Sequence, residues 1–270
     1  MRIGYCANMN AAQPNGLGIE SIETVADLGF DYIELPLAQL MALAEPEFRQ
    51  LKERVLASGI RCAACNNFFP ADLRLTGEAV PAERVAAYYR AALERAQQLG
   101  AAIVVFGSSG ARNVPAGFAK ERAWKQLVEL LRDMDPVARQ YGITIVIEPL
   151  NRQESNIVNS VAEGLQLANE VRRDNIQLLV DYYHLSLANE DPAIVVTAGS
   201  AIRHVHFAEP QGRVFPKAES RPAYAAFVEA LRQIHYAQRL SIEAFSADLR
   251  RDARTGLAFL KELTLPLAEF

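Results

Sequence analysis

Short apolar runs alternate with longer amphipathic stretches along the whole chain. The runs are rich in apolar and β-branched residues and predict eight strands, at Arg2–Cys6, Asp31–Leu35, Ile60–Cys65, Ala102–Phe106, Ile143–Glu148, Ile176–Asp181, Ile202–Phe207 and Leu240–Phe245. The amphipathic stretches predict helices that include Pro81–Leu99, Lys120–Tyr141, Ser160–Arg173 and Pro222–His235. Strands that alternate with helices of this length indicate βαβ units and a parallel sheet.

Eight strand–helix units in 270 residues are typical of one closed (β/α)₈ barrel, which usually takes about 250 residues. A doubly wound open sheet is the alternative, but residues 7–18, after the first predicted strand, lack its G-x-G-x-x-G fingerprint. No composition shift or flexible linker divides the chain. We therefore predict an α/β protein that folds as a single TIM-barrel domain over residues 1–270.

Composition and charge narrow the possible partners. Half of the residues are hydrophobic, and 28 basic against 32 acidic side chains give a net charge of −4. A disordered chain has less apolar sequence, and a nucleic-acid-binding protein needs a clustered positive field. No apolar run approaches the roughly 18 residues of a membrane span, and an odd count of three cysteines favours a reducing compartment. We expect a soluble cytoplasmic protein without a nucleic acid or membrane partner.

One polar residue marks the C-terminal end of each of the last four predicted strands: Glu148, Asp181, His206 and Glu243. In a barrel, the strand ends and loops at this face build the active site. The period of two along a strand points the four side chains into the barrel, while alternate apolar residues such as Ile147 face the helices. We therefore expect the four polar groups to meet at one level.

Three carboxylates and one imidazole carry too much negative charge to lie together without a cation. Oxygen-rich ligands with one His suit Mn²⁺, Mg²⁺ or Co²⁺ better than a closed zinc site. The alternative is that each acid is a separate, ion-paired or solvated residue at its own strand end. A metal bound to a carbonyl and a neighbouring hydroxyl stabilises an enediolate, and carboxylates on opposite faces can remove and return the carbon-bound proton.

The order of the motifs supports this chemistry. The segments that carry it are Glu148-Pro-Leu-Asn-Arg-Gln-Glu154, Asp181-Tyr-Tyr-His184, His204-Val-His206-Phe-Ala-Glu209 and Ile242-Glu243-Ala. Together with the eight-unit rhythm, they resemble the xylose-isomerase-like TIM-barrel superfamily of sugar isomerases and epimerases. Within it, the pattern is most similar to the ketose 3-epimerases, a group that includes D-tagatose and D-psicose 3-epimerases.

The resemblance implies that four residues hold one Mn²⁺ or Co²⁺ ion: Glu148, Asp181, His206 and Glu243. It also implies that Glu148 and Glu243 are the acid–base pair on opposite faces of the sugar. Glu154 and His184 would contact the substrate near its carbonyl and terminal hydroxyl, and Arg213 would reach substrate oxygens from the loop after the seventh strand. A homo-oligomer, either a dimer or a tetramer, is expected on the same ground.

The loop after the metal-binding histidine departs from the epimerase pattern H-x-x-E-x-N-R. Here His206-Phe-Ala-Glu209-Pro-Gln-Gly-Arg213 places the arginine one residue later. The Pro-Gln-Gly-Arg segment is nearer to the Pro-Gly-Arg of hydroxypyruvate isomerase-like proteins, although those usually have Gln where this chain has His206. The resemblance therefore indicates the chemistry more closely than the sugar.

Several functions stay open at this level. A ketose 3-epimerase is favoured, and an aldose–ketose or hydroxypyruvate-type isomerase could use the same groups with the substrate moved by one carbon. An endonuclease IV-like nuclease would need a histidine-rich trinuclear zinc site, and the chain has only four histidines. A non-catalytic sugar-binding barrel is the remaining alternative.

Glu34, near the end of the second predicted strand, is included among the substrate-binding candidates, with pairing to a neighbour as the alternative.

Overall fold

In the computed structural model, which describes residues 1–264, eight parallel strands close into a barrel in sequence order. Each strand pairs with the next along the chain, and the eighth pairs with the first. The strands are β1 (Arg2–Cys6), β2 (Tyr32–Pro36), β3 (Cys62–Asn66), β4 (Ile103–Phe106), β5 (Thr144–Ile147), β6 (Ile176–Asp181), β7 (Ile202–Phe207) and β8 (Arg239–Ile242). The predicted (β/α)₈ TIM barrel is confirmed. The predicted domain span of 1–270 includes residues outside the described part and stays a prediction.

Helices surround the barrel. They are α1 (Ile22–Asp27), α2 (Leu37–Ala42), α3 (Glu45–Ala57), α4 (Ala82–Leu99), α5 (Ser109–Arg112), α6 (Lys120–Gln140), α7 (Val161–Val171), α8 (Tyr182–Leu187), α9 (Ala193–Ala198), α10 (Arg221–Gln233) and α11 (Leu249–Thr264). The four helices predicted from apolar spacing correspond to α4, α6, α7 and α10, within two residues at each end. Within residues 1–264, every helix falls short of the length and apolar character that a bilayer crossing requires.

The barrel separates its apolar residues into two layers, as the period of two predicts. Ile147, Val205 and Phe207 belong to the large cluster between the strands and the helices, whereas Val146 belongs to a smaller cluster inside the barrel. Burial of each such side chain contributes about 1.5–3 kcal/mol, so the apolar alternation determines which way a strand faces. The opposite face of β7 therefore directs His206 into the barrel, where it contacts Glu148.

Two site residues lie just beyond their strands rather than inside them. β5 ends at Ile147, one residue before Glu148, and β8 ends at Ile242, one residue before Glu243. The backbone N–H of Glu148 still donates to Phe106 and that of Glu243 to Phe207, so the pairing continues for one residue. The chain then turns away, which places both carboxylates at the mouth of the barrel.

Gly18 occupies a position where the backbone conformation and a neighbouring backbone atom leave no room for a side chain. Its φ is +67°, and a Cβ would lie 1.9 Å from the carbonyl oxygen of Ala7, which is a backbone atom. We expect Gly18→Ala to lower the free energy of unfolding by at least about 3 kcal/mol, because left-handed strain and a backbone overlap add. Gly29→Ala is the matched control, since Gly29 has φ +79° with nothing within 4 Å of the added Cβ, and about 1 kcal/mol is expected there. Urea unfolding measures both, and equal losses would contradict the overlap.

Candidate metal centre

Four polar side chains converge at the C-terminal mouth of the barrel. One ligand-capable atom from each lies within 4.8 Å of the others in a cluster formed by Glu148, Asp181, His206 and Glu243. They come from consecutive units, since Glu148 follows β5, Asp181 ends β6, His206 lies in β7 and Glu243 follows β8. All four are buried, and the most exposed, Glu243, retains 8% of its surface. The structure thus brings together the four residues that the sequence singled out.

The contacts within the cluster leave donor atoms directed at a common point. Nδ1 of His206 lies 3.2 Å from Oε1 of Glu148 and 3.2 Å from Oε2 of Glu243. Asp181 accepts a hydrogen bond from the backbone N–H of Tyr183 through Oδ1. Its buried Oδ2 accepts none from any described residue. An ionisable oxygen buried without a hydrogen bond is costly unless a cation binds it.

Burial raises the pKa values of these three acids, and the nearby positive charges lower them. Burial raises the pKa of Asp181 to about 7, against the attraction of Arg213. Burial also raises the pKa of Glu148, and His206 only partly offsets it. Burial acts on Glu243 as well, but Arg213 and His206 outweigh it and lower its pKa to about 2. Asp181 and Glu148 thus resist ionisation near neutral pH while Glu243 does not, and a divalent cation would stabilise the charged forms of these acids.

The donor set fits one divalent ion. Three carboxylates and one imidazole match the oxygen-rich coordination of Mn²⁺, Mg²⁺ and Co²⁺, with positions left for water or substrate oxygens. The alternative of separate strand-end acids predicts carboxylates apart from one another, and their ligand atoms instead share one small space.

Arg213 lies beside this cluster. Its Nη2 donates to Oε2 of Glu243 over 2.6 Å and lies 3.6 Å from Oδ2 of Asp181. Its Nη1 lies 3.6 Å from Oε1 of Glu154, and the guanidinium stacks on the ring of Tyr183 at 4.5 Å. The extra residue in the loop therefore does not remove Arg213 from the site. The backbone at Arg213 adopts a left-handed conformation with φ +48°. Its side chain and the partly exposed carboxylate of Glu154 are available to a bound molecule.

His184 is held in one tautomer by the loop after β5. The backbone N–H of Asn151 donates to Nδ1 over 3.2 Å, and the side-chain amide nitrogen of Asn151 lies 2.8 Å from the same atom. The proton therefore lies on Nε2, which is 3.5 Å from Oδ2 of Asp181. Burial lowers the pKa of His184 to about 3, and Arg213 acts in the same direction. A neutral His184 presents an N–H donor beside the cluster.

Glu34 lies deeper than the substrate-binding position considered for it. It is fully buried, and its oxygens contact His206, His204 and Ser241 rather than the open mouth. Burial opposes its ionisation, but His206 and His204 hold its pKa well below the usual range. Glu34 was considered either as a substrate-binding residue or as the partner of a neighbouring side chain, and these contacts favour the second. Because β2 continues for two residues beyond Glu34, this side chain lies below the mouth of the barrel.

Three residues that shape the site escaped the sequence analysis. The guanidinium of Arg112 is fully buried and donates to the carbonyl oxygens of Phe106 and Glu148, each over 2.7 Å, which ties β4 to β5. Gly107 leaves room for the Glu148 carboxylate, since a Cβ there would lie 1.9 Å from Oε2. Asn151 orients His184, and its place inside the Glu148–Glu154 motif was the available signal. No sequence pattern marked Arg112 or Gly107, because both are loop or short-helix residues that reach the site only through tertiary contacts.

Comparison with known proteins agrees with this geometry. The profile of the xylose isomerase-like TIM barrel family matches residues 22–263. A D-psicose 3-epimerase from Ruminiclostridium cellulolyticum is 25% identical over 229 residues, which cover 83% of this chain and 77% of that protein. An L-ribulose 3-epimerase from Methylomonas sp. is 28% identical over 235 residues, covering 85% and 79%. The crystal structure of D-psicose 3-epimerase with D-tagatose from Clostridium cellulolyticum superposes with a TM-score of 0.85 at 23% identity, covering 97% of this chain and 99% of that one.

Proposed function

We propose, from the premise that this chain belongs to the xylose isomerase-like TIM barrel family, that it is a divalent-metal-dependent ketose 3-epimerase. It is an enzyme of the isomerase class, as are the epimerases to which it is similar. The observation that carries the proposal is the position of two carboxylates. Glu148 and Glu243 enter one cluster from β5 and β8, with β6 and β7 between them, and His206 contacts both.

Epimerisation at a carbon next to a carbonyl needs a proton removed from one face and returned to the other. A bound Mn²⁺ or Co²⁺ ion would polarise the substrate oxygens and make that proton more acidic. One of the two side chains, Glu148 or Glu243, enters the step as a carboxylate and takes the proton, which leaves an enediolate. The other enters as a carboxylic acid and gives its own proton to the opposite face, so the two side chains exchange protonation states. Both carboxylate oxygens lie 3.2 Å from Nδ1 of His206, so they already face one point when the sugar binds.

Three further residues would hold the sugar. Arg213 and the Nε2–H of His184 offer hydrogen-bond donors beside the cluster, and Glu154 offers an acceptor at its edge. The Arg213 guanidinium lies against the ring of Tyr183. These groups would fix which carbon lies between Glu148 and Glu243, and thereby the position of proton exchange.

The test is proton NMR in D₂O with a panel of ketoses, hydroxypyruvate and ketose phosphates. We expect deuterium at C3 of a ketose when the protein carries Mn²⁺ or Co²⁺, and no exchange after treatment with a chelator, because proton transfer needs the ion. Restoring the ion should restore exchange. Exchange that persists at full rate in chelator-treated protein would contradict metal dependence, and deuterium at C1 would contradict epimerisation.

An aldose–ketose or hydroxypyruvate-type isomerase is the second candidate. The observation that favours it is the later position of Arg213 after His206, in a Pro-Gln-Gly-Arg segment. Deuterium at C1 of a ketose, or at the carbon beside the hydroxypyruvate carbonyl, would support this candidate.

A histidine-rich nuclease centre is not favoured, since only His206 of the four histidines belongs to the metal-ligand cluster in the described residues. A cytoplasmic homo-oligomer, dimer or tetramer, stays a prediction.

A further inference from the structure

A second polar network lies directly beneath the metal cluster, inside the barrel. Its centre is Glu34 on β2, whose Oε1 lies 3.0 Å from Nε2 of His206. Its Oε2 lies 2.8 Å from Nε2 of His204 and accepts a hydrogen bond from Oγ of Ser241 over 2.6 Å. The hydroxyl of Tyr32 lies 2.8 Å from the same Oγ. None of these five side chains retains more than 1% of its surface.

We propose that Glu34 is a positioning residue of the metal centre, which binds the Nε2–H of His206 and so presents the Nδ1 lone pair to the ion. The inference rests on the proposed metal dependence and adds a residue to it. The two nitrogens of His206 face opposite ways, since Nδ1 faces Glu148 and Glu243 while Nε2 faces Glu34. A neutral imidazole has one proton, so the partner on the Nε2 side decides whether Nδ1 is free to bind metal.

The network directs its donors toward Glu34. Ser241 gives its hydroxyl proton to Oε2, so the hydroxyl of Tyr32 donates in turn to Ser241. His204 has no described partner at Nδ1, which places its proton on Nε2, toward Glu34. With Ser241, His204 and His206 all donating, Glu34 accepts as a carboxylate and keeps the His206 proton on Nε2.

Among the described residues, Glu34 makes its side-chain hydrogen bonds within this network, to His204, His206 and Ser241. Burying a carboxylate is costly, and an apolar residue of similar volume would fill a barrel interior at lower cost. Glu34 has no Arg or Lys partner among the described residues and reaches no solvent. The thiol of Cys6 lies 3.9 Å from Nε2 of His206, but a thiol is a weak acceptor and does not replace a carboxylate.

The experiment measures Mn²⁺ binding by calorimetry in chelator-treated protein. We expect Glu34→Gln to raise the Mn²⁺ Kd by about 10- to 100-fold, the usual effect of losing such an outer partner of a metal-bound histidine. Gln has one acceptor oxygen where Glu has two, and its amide nitrogen is a donor, so it cannot accept from His206 on one side and from His204 and Ser241 on the other. Glu34→Asp, which keeps the carboxylate, should restore part of the affinity. Glu229→Gln is the control, because it removes an exposed carboxylate that pairs with Arg232 on α10, away from the cluster.

A long-range ¹H–¹⁵N spectrum of the Mg²⁺-loaded protein gives a second measurement, and only four histidines contribute to it. The natural protein should show the His206 proton on Nε2. A proton on Nδ1, or a Mn²⁺ Kd of folded Glu34→Gln equal to that of the natural protein, would overturn the positioning role. If Glu34→Gln does not fold, the Kd of Glu34→Ala and the His206 tautomer of the natural protein decide, and an unchanged Kd or a proton on Nδ1 would overturn it.

The calorimetric result does not depend on turnover. If the natural protein binds Mn²⁺ with the expected dependence on Glu34 but exchanges no sugar proton, the epimerase proposal fails and the positioning role stands. If the natural protein binds neither Mn²⁺ nor Co²⁺, the positioning role is overturned, and the D₂O experiment decides the activity separately.

Discussion

Glu148→Gln and Glu243→Gln should each lower kcat by about 10³-fold or more, since each removes a proton-transfer group at the reacting carbon. Gln keeps the shape and a carbonyl oxygen, so the barrel should fold as before. Both carboxylates sit at the rim beyond β5 and β8 and support no strand pairing through their side chains. The measurement is the rate of C3 deuterium exchange, with thermal unfolding as the check on folding.

The control for this pair is Glu229→Gln, an exposed acid on α10 that pairs with Arg232. It removes the same charge far from the cluster and should leave the rate of exchange unchanged. The double variant Glu148→Gln with Glu243→Gln should be little slower than either single variant, because residues that act as a unit are not additive. Normal exchange in either single variant would contradict the two-carboxylate proposal.

Gly107→Ala should lower kcat by about 100-fold while changing stability little, because a catalytic group displaced by about 1 Å loses that much. The added Cβ would lie 1.9 Å from Oε2 and 3.0 Å from Cδ of Glu148. These are atoms at the end of a side chain, so the carboxylate can move aside and the backbone stays in place. The displaced carboxylate then no longer faces His206 and the metal position.

A double variant tests whether Gly107 acts through Glu148. If it does, Gly107→Ala should slow the Glu148→Gln enzyme very little further, because both changes disable the same group. Gly117→Ala serves as the control in a neighbouring loop, since nothing lies within 4 Å of its added Cβ. Equal slowing of the natural and Glu148→Gln enzymes by Gly107→Ala would show that the glycine acts elsewhere.

Local pattern was sufficient for the strands and for the direction of their side chains. The strands β1, β6 and β7 have the predicted bounds, and alternate residues of β5 and β7 face the helices as expected. The period of two is a property of each strand alone and needs no knowledge of its neighbours. For the same reason, the side chains of Asp181 and His206 could be assigned to the inside of the barrel before their contacts were known.

The period of two does not give the level along the barrel axis at which an inward-facing side chain lies. Glu34 and Glu148 both lie near strand ends and point inward. Glu34 nevertheless contacts Nε2 of His206 from the inside of the barrel, whereas Glu148 contacts Nδ1 of His206 at the mouth. Strands in a closed barrel are tilted and staggered, so equal positions along two strands lie at different levels. The pairing of β2 with β3 also shifts between Ile33 and Glu34, which no sequence period reveals.

By itself, the amino-acid sequence determined the closed barrel, the inward face of the last four strands and the set of four polar residues expected to meet at its mouth. These follow from hydrophobic alternation, which acts between residues close in the chain. Only the tertiary structure decided that Glu34 supports His206 from below, that Arg112 ties β4 to β5 and that Gly107 makes room for Glu148. Those contacts join residues far apart in sequence, and their distances depend on strand stagger and loop conformation, which the packed barrel alone sets.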